Sequence, residues 1–297
     1  MKSNLLLTHS DKLVWAKRPT AMLLGLVCMT GALGQSTDPA PHGGLTNETG
    51  LSSVGERDED PRPNIVIINV DDMGWTDPAG FGSDFHETPN IDRLADDGLK
   101  FTSAYAACAV CSPTRAAMLT GQYPARVRIT NFITEWRGGT PDLPPPEYDD
   151  RFFSPVGDKM MMEPVQLEAL PLEAITYAEI ARDAGYATMH LGKWHLGGGR
   201  YAPDHHGFDI NIGGEARGAP PSYFDPYGID SVPNRKNGEY LTDREADEAE
   251  GFIRAHAGRP FLLNYWPYAI HTPLQAKASL VSKYEEKTPG TNHKDPV

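Results

Sequence analysis

The segment Asn64–Val70 (NIVIINV) constrains the fold of this chain more than any other. A short apolar run rich in β-branched residues reads as a strand buried on both faces, the kind found in parallel sheets. Parallel neighbours need crossover connections, usually helices, and the sequence supplies them. Thr88-Pro89 open a helix, with Thr as N-cap, Pro at the first helical position, Ile91 and Leu94 on one face and Gly98 as the stop. Ser112-Pro113 open another, ending near Gly121. Thr176 to Glu179 form a capping box for a helix that ends at Gly185, and Tyr186 to His190 follow as a strand. Thr242 to Glu245 predict a second capping box, its helix running to about Gly258, before a strand over Phe261–Trp266. Strands alternating with helices imply an α/β fold with a largely parallel sheet flanked by helices.

The N-terminus is expected to lie outside that fold. Lys12, Lys17 and Arg18 precede the apolar run Ala21–Leu33, shorter than a membrane span requires, and the small residues Ala32 and Gly34 suit cleavage. Residues 1–34 therefore read as a secretory signal, 35–61 as a polar Gly/Pro-rich linker, and 62–297 as the folded part. The expected location is secreted or periplasmic, with no stable membrane insertion. An uncleaved anchor is the alternative, and Val27 makes Cys28 a poor lipoprotein site. The sequon Asn47-Glu48-Thr49 matters only in a glycosylating host. Lys+Arg total 27 against Asp+Glu 40, a formal charge of −13, which argues against a nucleic-acid partner. It does not exclude an anionic substrate held by a few placed cations.

The polar residues of interest follow the strands, where open α/β sheets bind ligands. Asp71 and Asp72 follow the first, Lys193 and His195 the second, and His271 the third. Lys193 and His195 stand at i and i+2, so an extended chain points both the same way. Each element alone has an ordinary reading: a solvated turn for the aspartates, a surface Lys-x-His, a turn cap for His271. Cys111 sits at a helix N-terminus, where free N–H groups and the dipole favour an anion, and Arg115 four residues on shares its helix face. A buried small hydrophobe, or a redox or metal pair with Cys108, are the competing readings of Cys111. Three cysteines cannot build a disulfide framework, and a zinc site wants a second ligand pair.

Cys111-Ser112-Pro113-Thr114-Arg115 followed by Ala116-Ala117-Met118-Leu119-Thr120-Gly121 resembles the signature of the type I sulfatases. Asp71-Asp72-Met73-Gly74, Thr88 to Leu94, Gly192 to Gly197, His206 to Asp209 and Tyr268 to Pro273 resemble further blocks of that family, in order, over roughly residues 63–275. The resemblance implies an alkaline-phosphatase-like fold and hydrolysis of sulfate esters. It implies that Cys111 is oxidised to formylglycine by a formylglycine-generating enzyme, and that Asp71, Asp72 and residue 111 ligate one Ca²⁺. Arg115 would hold the formylglycine, Lys193 would bind sulfate, His195 would take a proton as sulfate leaves, and His271 would contact sulfate or assist the leaving group. The partner would be a sulfated small molecule or glycan. Aromatic and cationic loop residues, including Trp136, Arg137, Tyr223, Phe224 and Tyr227, offer surfaces for sugar rings.

One departure stands out. The family supplies further metal ligands, an Asp followed by Asn, Gln or His, and another Lys after a later strand, whereas this sequence has no Asp-Asn dipeptide and ends at Val297. Ca²⁺ prefers about six to eight oxygens. The expectation is the N-terminal part of a sulfatase, with the strand ending at Trp266 exposing an edge and the 297-residue chain itself inactive. Two alternatives stay open: a phosphate or phosphonate ester hydrolase of the same superfamily, and a non-catalytic truncated anion-binding protein.

Overall fold

The computed structural model describes residues 62–134, 166–288 and 290–291, together with three short strand segments at 27–28, 153–155 and 162–164. The main sheet has the strand order β1-β2-β7-β5-β6, made by Val27–Cys28, Ile65–Ile68, Phe261–Trp266, Ala187–Gly192 and Ile210–Ile212. β2, β7, β5 and β6 run parallel, and β1 lies antiparallel on the outer edge of β2. Phe153–Pro155 (β3) and Met162–Pro164 (β4) pair separately. The rest of the expected leader and linker, with the Asn47 sequon, lies outside the described residues, as do Trp136 and Arg137.

Three layers result. Pro89–Asp97 is α1, Cys111–Thr120 is α2, Pro124–Val127 is α3, Tyr177–Asp183 is α4, Leu241–Ala255 is α5 and Ala278–Glu285 is α6. On one face of the sheet Ala116 and Leu119 of α2 and Ala178 and Ala181 of α4 pack on Ile65, Ile67, Leu262 and Trp266. On the other, Phe252 of α5 packs on Ala187, Met189, Leu191, Phe261 and Leu263. The alternation along β5 and β7 explains both cores: successive side chains enter opposite layers. Each fully buried side chain of this size contributes roughly 1.5–3 kcal/mol.

The helix signals hold in part. Thr176 and Glu179 make both bonds of the capping box. Gly121 ends α2 in the left-handed region at φ 66°. The second box does not form. α5 begins two residues earlier, at Leu241 with Tyr240 as N-cap, so Thr242 lies inside the helix and Glu245 is buried towards β7. α5 also ends at Ala255, short of Gly258.

Three further expectations are corrected. β2 is half-buried rather than buried on both faces, because Val66 and Ile68 line an open apolar recess with Ala246, Ala249 and Ile253 of α5. β7 exposes no edge: it lies between β2 and β5 and pairs with both. Residues 198–240 contain β6, and the loop residues Tyr223 and Tyr227 are buried there with Ile229, Val232, Leu241 and Tyr268. Those two tyrosines are packing residues, not sugar platforms. Gly207 of the His206–Asp209 block is also structural: at φ 94° a side chain there would meet the Glu179 backbone nitrogen at 2.2 Å, so only glycine lets this turn abut the start of α4.

Candidate active site at the carboxyl ends of β2 and β5

The site forms where the parallel strands end. Asp71 follows β2 and is buried, and α2 brings Arg115 onto it. Arg115 Nε and Nη2 donate to Asp71 Oδ2 at 2.9 and 2.8 Å, and Nη1 donates to the Lys193 carbonyl at 2.5 Å. The guanidinium also lies over the Trp266 ring, 5.0 Å from its centroid. Lys193 is fully buried, with Nζ 3.2 Å from Asp71 Oδ2 and 3.8 Å from Asp72 Oδ2. Burial pushes the Asp71 carboxyl up, but Arg115 and Lys193 override it and hold it at about 2. Arg115 therefore grips Asp71 and the backbone at Lys193.

His195 reaches the same place by a route the i, i+2 spacing misses. Its backbone is not extended but left-handed, at φ 59°. Its N–H donates to the Glu215 carbonyl at 3.1 Å. Nε2 is 2.6 Å from the Ile133 carbonyl and Nδ1 is 3.2 Å from Cys111 Sγ. A carbonyl can only accept, so Nε2 carries the proton and the Nδ1 lone pair faces Cys111. Burial, then the nearby Lys193 charge, pull the imidazole down to about 3, so it is neutral near pH 7. Ser112 fixes the joint: its hydroxyl donates to the His195 carbonyl at 2.9 Å and accepts the Ile133 N–H at 3.0 Å.

Cys111, Arg115, Lys193, His195, Asp71 and Asp72 thus form one connected cluster. His271 does not join it through a polar contact among the described residues. Its Nδ1 is 3.0 Å from the Thr272 carbonyl, while Tyr223 holds the His271 carbonyl at 2.9 Å. Below the cluster is a buried relay that motif spacing did not show. Tyr177 donates to Asn264 Oδ1, Asn264 Nδ2 bonds His190 Nδ1 at 2.9 Å, and His190 Nε2 is 3.2 Å from the Gly192 carbonyl. The signal available in sequence was polar residues inside apolar strands: His190 in β5 and Asn264 in β7. Burial pulls His190 down to about 3, so this imidazole too is neutral.

Asp71 and Asp72 offer hard oxygen donors of the kind Ca²⁺ takes. Arg115 and Lys193 both fall on Oδ2 of Asp71, which leaves Oδ1 for a cation. Asp72 is only partly covered. The residues therefore fit as part of a cation site, and among the described residues no group of three His, Cys, Asp or Glu completes one.

Comparison with known proteins follows the same outline. A family model described as Sulfatase matches residues 63–296. The canine N-acetylgalactosamine-6-sulfatase is 36% identical over 239 residues, covering 72% of this chain and 41% of that protein. Rat arylsulfatase G is 37% identical over 163 residues, covering 54% of this chain and 25% of its own length. The solved structure of Ps i-CgsB in complex with k-i-k-neocarrahexaose superposes with a TM-score of 0.57 at 29% identity, covering 76% of this chain and 49% of that one. The chain thus spans about two fifths of the length of the N-acetylgalactosamine-6-sulfatases it matches.

Proposed function

Because this chain belongs to the sulfatase family, we propose that the protein hydrolyses sulfate esters of saccharides, with position 111 as the reactive centre. The Cys111–His195 contact carries the proposal: a neutral imidazole presents its lone pair to the side chain at the start of α2. The saccharide class is supported by relatives, since N-acetylgalactosamine-6-sulfatase is named for a sulfated sugar and Ps i-CgsB was solved with a carrahexaose.

A cation held by Asp71 and Asp72 would offset charge on sulfate oxygens, and residue 111 oxidised to formylglycine by a maturing enzyme would supply the nucleophile. The remaining chemistry belongs to side chains already placed. Lys193 keeps a buried ammonium between Asp71 and Asp72, where it binds a sulfate oxygen. Arg115 orients Asp71 and holds the 193 carbonyl, so cation site and Lys193 move as one unit. His195 accepts a proton at Nδ1 from the group at 111, and Ile133 keeps the other nitrogen protonated. His271, on the loop after β7, is assigned to the leaving-group side of the substrate. A secreted or periplasmic setting suits a glycan substrate.

The test pairs chemistry with mass spectrometry. Peptides of the protein made in a maturing host are expected to show thiol loss at Cys111 and not at Cys108. In the full-length protein, turnover of 4-nitrophenyl sulfate should exceed that of 4-nitrophenyl phosphate. A fully alkylatable Cys111 in active protein overturns the nucleophile assignment, and faster phosphate turnover makes the protein a phosphoesterase.

A further inference from the structure

The loop after β6 stands directly behind His195. Gly218 is its closest point: a methyl carbon built there would lie 2.4 Å from His195 Cε1, 2.7 Å from Nδ1 and 2.8 Å from Nε2. Near-equal approach to three ring atoms sets the glycine against the flat of the imidazole, not its edge. These distances are far inside van der Waals contact, so one partner would have to move.

Neither is free to retreat. The ring is tied at Nε2 to the Ile133 carbonyl, at 2.6 Å, and is buried. The loop is tied at Glu215, whose carbonyl accepts the His195 N–H at 3.1 Å. The Glu215 carboxylate accepts from the Ser231 N–H at 2.9 Å, the Ser231 hydroxyl at 3.1 Å and Arg217 Nε at 2.8 Å. The same short loop therefore fixes the backbone of His195 and walls its ring.

We propose that Gly218 is a positioning residue that holds the His195 ring in line with the side chain at 111, its missing side chain being the space the imidazole occupies. Gly218 has no side chain of its own and acts through the His195 ring. Its consequence for turnover rests on the role given to His195 above, whereas its effect on the ring does not.

The experiment separates the two. In protein with unconverted Cys111, the His195 imidazole resonances, assigned by their loss in His195→Ala, are read by ¹⁵N–¹H correlation. Gly218→Ala is expected to shift them, and Gly251→Ala, on α5 with nothing within 4 Å, is not. In matured protein Gly218→Ala should lower kcat with 4-nitrophenyl sulfate by about tenfold or more, for loss of an aligned proton acceptor. KM should stay within about twofold, as for an interaction made only in the transition state. Unmoved resonances, or moved resonances with unchanged kcat, overturn the proposal. Absence of turnover in the unsubstituted 297-residue chain, the outcome its sequence leads one to expect, leaves the resonance arm to decide this proposal, whereas faster phosphate than sulfate turnover defeats the sulfatase reading. If Gly218→Ala does not fold, Gly218→Ala/His195→Ala should, because the obstructing ring is gone, and an unfolded double variant refutes the assignment.

Discussion

Asp71 and Arg115 are joined through a single carboxylate oxygen, which accepts from both Nε and Nη2 of the guanidinium. Lys193 approaches the same oxygen at 3.2 Å, so two buried cations lean on one buried anion. The pair links the end of β2 to α2, and through the Lys193 carbonyl to the end of β5. Removing the anion leaves the buried Arg115 without a carboxylate and Lys193 with only Asp72, at 3.8 Å.

Asp71→Asn is therefore expected to destabilise the protein by about 3–5 kcal/mol, read by chemical denaturation. The depressed Asp71 titration has a definite sign. Its contribution is present above the ordinary value of 3.8 and is lost as pH falls through about 2. Asp71→Asn/Arg115→Met should cost less than the two single variants added together. Additive losses would show that the two side chains do not depend on each other.

In the full-length protein, Lys193→Ala and His195→Ala should each reduce sulfate-ester turnover at least about 100-fold. The far-ultraviolet circular dichroism should stay that of the parent. Parental kinetics in either variant would remove that residue from the chemistry.

The buried relay makes a separate prediction. Asn264→Leu removes the acceptor of Tyr177 and the donor to His190, both inside the core. Two orphaned groups at about 1–3 kcal/mol each should cost several kcal/mol in unfolding experiments. A near-neutral effect would mean that the relay is replaced by water.

What sequence spacing could read was what one element determines alone. β7 was bounded to the residue, since an apolar run between Pro260 and Pro267 has only one extent. α2 was found because Gly121 stops it, and the Thr176–Glu179 box because both bonds are local. The Thr242–Glu245 box carried the same letters but was overridden. Starting α5 at Leu241 buries Leu241 with Tyr268, and tertiary packing outweighs one cap. The site showed the same division. Strand ends announced Asp71, Lys193 and His195, but the left-handed His195 backbone depends on Glu215 and Ser112, which come from other segments. Tyr223 and Tyr227 looked like loop aromatics because nothing nearby in sequence shows the pocket that α5 and Tyr268 build for them.

Glu245, turned inward where a cap was expected, should make stability depend on pH. Burial pushes its carboxyl up to about 8, and one oxygen lies without a hydrogen-bond partner. A raised carboxylate contributes stability in full below its ordinary value of 4.5 and loses it as pH rises through about 8. Thermal midpoints should fall between pH 5 and 9 in the parent and fall less in Glu245→Gln, which keeps the shape without the charge. Parallel pH profiles would show that Glu245 reaches water.

The position of β7 sets a timetable for synthesis. Ile65 pairs with Leu262 and Gly192 with Trp266, so the middle of the sheet is made after the described strands on either side of it. At ribosomal rates of about 5–20 residues per second, the stretch from Gly192 to Trp266 takes about 4–15 s. For that interval β2 and β5 exist without the strand that joins them. A nascent chain of this protein therefore waits, half-built, with two apolar strand edges open, which is when a holdase would bind and when crowded neighbours are most dangerous.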